Sequence, residues 1–306
     1  MIVRPTQHWF RLLFVWHGSV LQSIIPQLLL MTVIGCVAVA TDGRVLGEKI
    51  PLNTTPFTLC GVALTIFLAF RNNASYDRYR EARHLWGGVL IATRALTSQV
   101  IAYVPEGIAG FEHRHFVHGL IGFVYAFKHQ LRKCNPEPDL SRYVGGEHAA
   151  ALQAMRFRPI AILNESRRTL ASLHRRALIS DIQLSMFDIQ VNELEKAVGG
   201  CERIASTPIP FAYGVLLHRT VYAYCMLLPF GLVDSLGYFT PLISVFVSYT
   251  LLALEAIAAE IAEPFGTAPN CLALNAIART IERSLLELCG EALPEEEKPV
   301  RVYELT

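Results

Sequence analysis

The sequence predicts an all-α membrane protein: four transmembrane helices, with a large helical cytoplasmic domain inserted between the second and the third. Three observations carry this. Of the 306 residues, 52% are hydrophobic and 17% charged, well below the roughly one quarter of charged residues in soluble domains. Long stretches contain no Asp, Glu, Lys or Arg, and basic residues gather on one side of them. With 27 Lys+Arg against 26 Asp+Glu the net charge is +1, so general attraction to nucleic acid or acidic substrates is excluded and any functional charge is local.

The first charge-free stretch runs over 30 residues from Leu12 to Thr41 and the second over 21 from Ile50 to Phe70; either can cross a bilayer core, which takes about 20 apolar residues. Ala38-Val39-Ala40, preceded by Arg4 and Arg11, resembles a signal-peptide cleavage site. A cleavable apolar region is only about 7–15 residues long, so a retained helix is expected. The second helix is predicted to start with Thr55 as its cap and Pro56 as its first residue. Two later stretches, Thr220–Val233 and Ser235–Leu254, flank Asp234 and predict a helical hairpin turning near it. Arg71, Arg78, Arg80 and Arg83 directly follow the second stretch, which puts both chain ends in the cytoplasm because basic residues near spans stay there.

Between the two pairs, residues 71–219 hold 19 basic and 13 acidic side chains. Ile179, Ile182, Met186, Ile189 and Leu194 recur near helical spacing, so this domain is expected to be helical. The organisation that follows is 1–70 with the first two spans, 71–206 cytoplasmic, 207–263 with the last two spans, and 264–306 a cytoplasmic tail. That tail has one helix, Ala273–Leu288, and a solvated end at Glu295–Glu297. Seven scattered cysteines without a CxxC predict buried, reduced thiols rather than zinc or disulfides.

Val62, Ile66 and Phe70 fall at four-residue spacing along the second span. Alone, such a stripe is ordinary packing; repeated around a ring of subunits it would make stacked apolar rings that gate a pore by dewetting. His113, His115 and His118 read as a solvated face rather than a metal site, and haem held by His17 and His218 is disfavoured. No Ser/His/Asp set, phosphate loop or intramembrane carboxylate pair points to an enzyme. A secondary transporter would need ionisable groups or broken helices near the midplane, which the second span lacks, and a membrane redox protein would be coloured.

Phe70-Arg71-Asn72-Asn73-Ala74-Ser75-Tyr76-Asp77-Arg78-Tyr79-Arg80-Glu81-Ala82-Arg83, ending in Leu85-Trp86-Gly87, resembles the segment after the pore helix of bacterial bestrophins. Thr207-Pro208-Ile209-Pro210-Phe211-Ala212-Tyr213 with Leu217-His218-Arg219, and Glu263-Pro264-Phe265-Gly266, are similar to two further motifs of that family. The resemblance covers nearly the whole chain.

It implies a homopentameric channel for small monovalent ions in the inner (plasma) membrane, in contact with lipid and without a cofactor. Val62, Ile66 and Phe70 would form the pore neck and Ile182 a cytoplasmic aperture, with Asp181 a selectivity candidate. Thr267-Ala268-Pro269-Asn270-Cys271-Leu272 stands where animal bestrophins carry a calcium-binding acidic run, so calcium activation by that route is doubtful. Cations are favoured over anions on the resemblance to bacterial members and on a ring of Asp181 carboxylates. Arg175 and Arg176 facing the lumen would favour anions instead.

Overall fold

The computed structural model describes residues 1–3, 8–45, 48–49, 54–300 and 303–306; Arg4 and residues 50–53 of the second charge-free stretch lie outside these. Among the described residues eleven α-helices dominate: α1 Trp9–Leu12, α2 Leu21–Ala40, α3 Thr54–Tyr103, α4 His113–Arg132, α5 Glu137–Val144, α6 Gly146–Gln153, α7 Arg158–Arg175, α8 Asp181–Ser206, α9 Phe211–Leu236, α10 Thr240–Ala262 and α11 Leu274–Leu288. The described strands are a two-residue ribbon, β1 Arg44–Val45 antiparallel to β2 Glu48–Lys49, between α2 and α3. Two compact units emerge: residues 4–79 with 208–264, and residues 1–3, 80–207 and 265–306.

The first unit is a bundle of α2, the opening half of α3, α9 and α10. Leu21–Ala40, Thr55–Tyr103 and Phe211–Ala262 are long and apolar enough to cross a membrane, the last being interrupted by a 3-10 turn at Gly237–Phe239. That turn lies three residues past Asp234, and Gly237 takes a positive φ of 52° that glycine adopts without a Cβ penalty. Packing is tight where small residues allow it: a Cβ on Gly35 of α2 would stand 3.0 Å from Pro241 Cα of α10. Met31 and Ala38 of α2 are buried against their neighbours, so this helix is an integral part of the bundle. Pro26 and Pro229 sit inside α2 and α9; such prolines are tolerated in spans, where neighbouring helices re-satisfy the freed backbone groups.

The second unit is built around α4, which packs on α5, α7, α8 and α11. The middle of α4 is apolar on every side and must be wrapped by other helices: Val117, Leu120, Ile121, Phe123, Val124 and Phe127 are all fully buried. Trp86 of α3 stacks on Phe127 at 5.0 Å and 12°. Glu282 of α11 is fully buried but accepts from Tyr125 Oη (2.5 Å), Arg142 Nη2 (3.1 Å), Arg279 Nη1 (2.6 Å) and Tyr143. Burial, with Glu282 beside them, raises the pKa of both tyrosines, so they remain hydroxyl donors.

The expectations for α3 and for the cysteines need correcting. α3 does not stop near Phe70; it continues to Tyr103, since no proline intervenes between Pro56 and Pro105 and Gly87-Gly88 alone costs too little to break it. It also begins at Thr54, one residue before the expected cap. α8 is helical as its spacing predicts, and its core face is Phe187, Val191, Leu194 and Val198, whereas Ile182 and Ile189 are exposed. Of the cysteines, Cys201, Cys225 and Cys271 are buried, but Cys36, Cys60 and Cys134 are exposed. In the tail Glu295 and Glu296 are exposed, and beyond them Ile2 and Glu304 form an antiparallel bridge, with Val3 N donating to Tyr303 O at 2.9 Å and Leu305 N to Met1 O at 2.9 Å.

Candidate functional site

Helix α3 divides its faces sharply inside the first unit. Leu64, Leu68 and Ser75 are buried against the bundle, while Val62, Ile66 and Phe70 are 55%, 50% and 61% exposed. Leu59, 67% exposed and three residues before Val62, extends the stripe by a turn. The sequence reading missed it because it looked only for four-residue spacing. An apolar row with no protein partner must meet lipid, another subunit or a pore.

Just past Phe70 the character changes. Arg71 Nη1 lies 3.5 Å from Glu255 Oε1, which also takes His218 Nδ1 at 2.8 Å. The Arg71 and Glu255 side chains are nearly buried, and charges taken out of water persist only when paired. Arg78 Nε donates to the Ala262 carbonyl at 3.1 Å, a cation at the C-terminal end of α10 where the helix dipole favours it. This cluster fixes the start of the Arg71–Arg83 motif on α9 and α10. Glu255 was not singled out from sequence, although it is the first charge after the fourth charge-free stretch.

In the second unit, Ile182 stands 74% exposed in the first turn of α8. Ser180 and Gln183 form a reciprocal capping box that holds this turn, with Ser180 N donating to Gln183 Oε1 at 2.8 Å and Gln183 N to Ser180 Oγ at 3.3 Å. Asp181 Oδ1 is engaged by His174 Nε2 at 2.7 Å. Arg175 and Arg176, next to His174, are exposed and form no ion pair among the described residues. Asp181 thus stands 94% exposed with a histidine as its partner.

The histidines of α4 do not converge. His113 Nε2 pairs with Val104 O at 2.9 Å, His118 Nε2 with Glu291 Oε1 at 3.0 Å, and His115 lines a small cavity with His148 and Glu165. Among the described residues no group of three or more His, Cys, Asp or Glu side chains is arranged to hold a metal. His17 is exposed, and His218 is committed to Glu255.

The model of the family described as Bacterial/Fungal Bestrophin protein matches residues 1–287. A voltage-dependent anion channel-forming protein of Ralstonia nicotianae is 45% identical over 303 residues, 99% of each chain. A protein of the same description from Escherichia coli K12 is 42% identical over 307 residues, the whole of both chains. The crystal structure of a bacterial bestrophin homologue from Klebsiella pneumoniae, 43% identical, superposes with a TM-score of 0.84 over 88% of this chain and 99% of its own.

Proposed function

We propose that this chain is the subunit of an anion-conducting channel of the inner membrane, and the premise is its family: the chain belongs to the bacterial/fungal bestrophins. The observation that carries the reading is the exposed apolar row Val62, Ile66 and Phe70 on an α3 whose opposite face is already packed. One protomer cannot enclose a pore with a single stripe, so a closed ring of copies, five by the family resemblance, supplies the rest. Four spans, α2, α3, α9 and α10, cross the membrane with both ends cytoplasmic, and lipid covers the outward faces.

Conduction is passive and non-enzymatic. The neck repels ions of either sign until it wets, because its side chains are uncharged and narrow apolar constrictions dewet. Ile182 forms the second constriction in the cytoplasmic unit. Ion sign is set outside the neck. The cation preference is replaced by an anion preference, supported by the names of the relatives and by exposed Arg175 and Arg176 next in sequence to His174, the hydrogen-bond partner of Asp181.

The experiment is reversal-potential measurement on purified protein in planar bilayers under a chloride gradient. A shift towards the chloride equilibrium potential is expected. Arg175→Gln with Arg176→Gln should reduce that shift at low salt and less at high salt, since screening shortens the reach of such charges to about 10 Å at 0.1 M. A reversal potential at the cation equilibrium value would overturn the sign, and an absence of any current would overturn the channel reading.

A further inference from the structure

Helix α4 ends in a way that builds a second chemical site. Lys133 adopts the left-handed conformation with φ of 54°, Cys134 N donates to His129 O at 3.1 Å, and Lys133 N donates to Gln130 O at 3.3 Å. This is the Schellman arrangement, which brings the side chain two places past the helix end against the side chain of the last turn, usually as an apolar contact. Here the two side chains are a thiol and an imidazole, with Cys134 Sγ 2.9 Å from His129 Nδ1. The chain then turns through Asn135, whose Oδ1 accepts from Glu137 N at 3.1 Å, and starts α5. The first turn of α5 returns Asp139, whose Oδ2 lies 2.8 Å from His129 Nε2 and 3.0 Å from Lys128 Nζ.

The proton positions follow from the acceptors. Burial pushes the Asp139 carboxyl up, but hydrogen bonds from His129 and Lys128 outweigh it and hold the group at about 2. Asp139 is therefore a carboxylate and can only accept. His129 Nε2 must carry a proton and donate, which leaves Nδ1 of the neutral ring as the acceptor for the Cys134 S–H.

We propose that Cys134, His129 and Asp139 form a thiol-activation site, at which Cys134 is the point of covalent modification by peroxide or by disulfide-forming small molecules. The thiol proton moves to His129 Nδ1, giving a thiolate–imidazolium pair whose far side is held by Asp139. Lys128 shares the same carboxylate oxygen and tempers that hold. The negative end of the α4 dipole opposes the thiolate but favours the imidazolium. Arg132, next but one in sequence, lies within electrostatic range of the thiol. Exposed thiols in such cationic surroundings are the reactive ones.

With hydrogen peroxide, the thiolate sulfur attacks one oxygen, the O–O bond breaks, and the leaving hydroxide takes the imidazolium proton to become water. The sulfur is oxidised by two electrons to the sulfenic acid and the peroxide is reduced. A low-molecular-weight thiol then displaces water from the sulfenic acid to give a mixed disulfide. The thiol is exposed at the surface, so the site is assigned stoichiometric modification and not turnover of a substrate.

The test is the rate of alkylation by iodoacetamide of the full-length protein in detergent. It is read residue by residue through peptide mass spectrometry between pH 6 and pH 9, with half-buried Cys289 as internal comparison. Cys134 should react about tenfold faster at pH 6 than in the His129→Gln variant, because an unperturbed thiol with a pKa of about 8.5 is almost wholly protonated there. Asp139→Asn should slow it about threefold. Peroxide followed by a sulfenic-acid-trapping diketone should mark Cys134 ahead of Cys289. Native rates within twofold of the His129→Gln rates, or no labelling of Cys134 in the folded protein, would overturn the proposal. Should His129→Gln fail to fold, the native pH profile decides: a rate falling tenfold per pH unit below pH 8 sinks the pair, and a plateau towards pH 6 supports it.

Discussion

Helices α2 and α4 are both 20 residues long and treat their apolar side chains in opposite ways. In α2 the buried residues are Ile24, Met31, Gly35 and Ala38, while Leu29, Leu30, Val33 and Val37 face outward. In α4 nearly every apolar residue is enclosed, and the polar ones, His129 and Lys128 among them, are spent on specific partners. The first is built for an apolar solvent, with small residues setting helix contacts. The second is built for water, where burial of apolar surface drives folding. Two solvents thus act on one chain, and α3 runs from the first environment into the second without a break.

The contrast can be broken or sharpened by substitution, the largest effect being expected where a charge is wholly enclosed. Glu282→Ala strands Arg279 and Arg142 without their carboxylate and should destabilise the second unit by about 3–5 kcal/mol, seen as a large fall in the thermal midpoint in detergent. A change below about 1 kcal/mol would mean that this network is not enclosed in the assembled protein.

Asp139 gives the next effect. Its folded pKa, about 2, lies below its ordinary value of 3.8, so it stabilises the fold above pH 4 and that contribution fades as pH falls from about 4 to 2. At 1.36 kcal/mol per pKa unit the contribution is about 2 kcal/mol. Asp139→Asn should lose that much at pH 7, and the difference from the native protein should close by pH 2; a gap independent of pH would assign the loss to packing. Ser180→Ala removes one half of the capping box on α8 and should cost about 1 kcal/mol. In hydrogen exchange the first turn of α8 should be the part that loses protection.

Ile66→Ala should have the smallest effect on stability, within about 0.5 kcal/mol, because the side chain touches little within the protomer. Single-channel recordings should nevertheless show higher conductance with unchanged ion preference, as a wider apolar ring wets more easily. The opposite pattern, a marked loss of stability with unaltered current, would reassign the stripe to helix packing.

What sequence made legible was the part governed by one variable at a time. Charge-free stretches located α2, α9 and α10, because a bilayer tolerates no scattered charges, and the last helix was expected at Ala273–Leu288 and found at Leu274–Leu288. The apolar row on α3 followed from spacing. What stayed hidden depends on tertiary partners. Glu282 looks like any surface carboxylate of an amphipathic helix until Tyr125, Tyr143 and Arg142 arrive from far along the chain. Which face of α8 is core could not be read from hydrophobicity alone, since Ile182 and Ile189 are exposed while Phe187 and Val191 are buried. The contact between His174 and Asp181, seven residues apart, was likewise out of view.

The bridge between Ile2 and Glu304 constrains more than the two strands it joins. Residues bonded to each other lie on the same side of any sheet of lipid, so the chain between them must pass through that sheet an even number of times. Three long apolar stretches, each crossing once, would break that parity. The proposed four-span arrangement meets that parity by letting one stretch go across and come back, and the reversal at Gly237, between 26-residue α9 and 23-residue α10, offers both the length and the turn to do so.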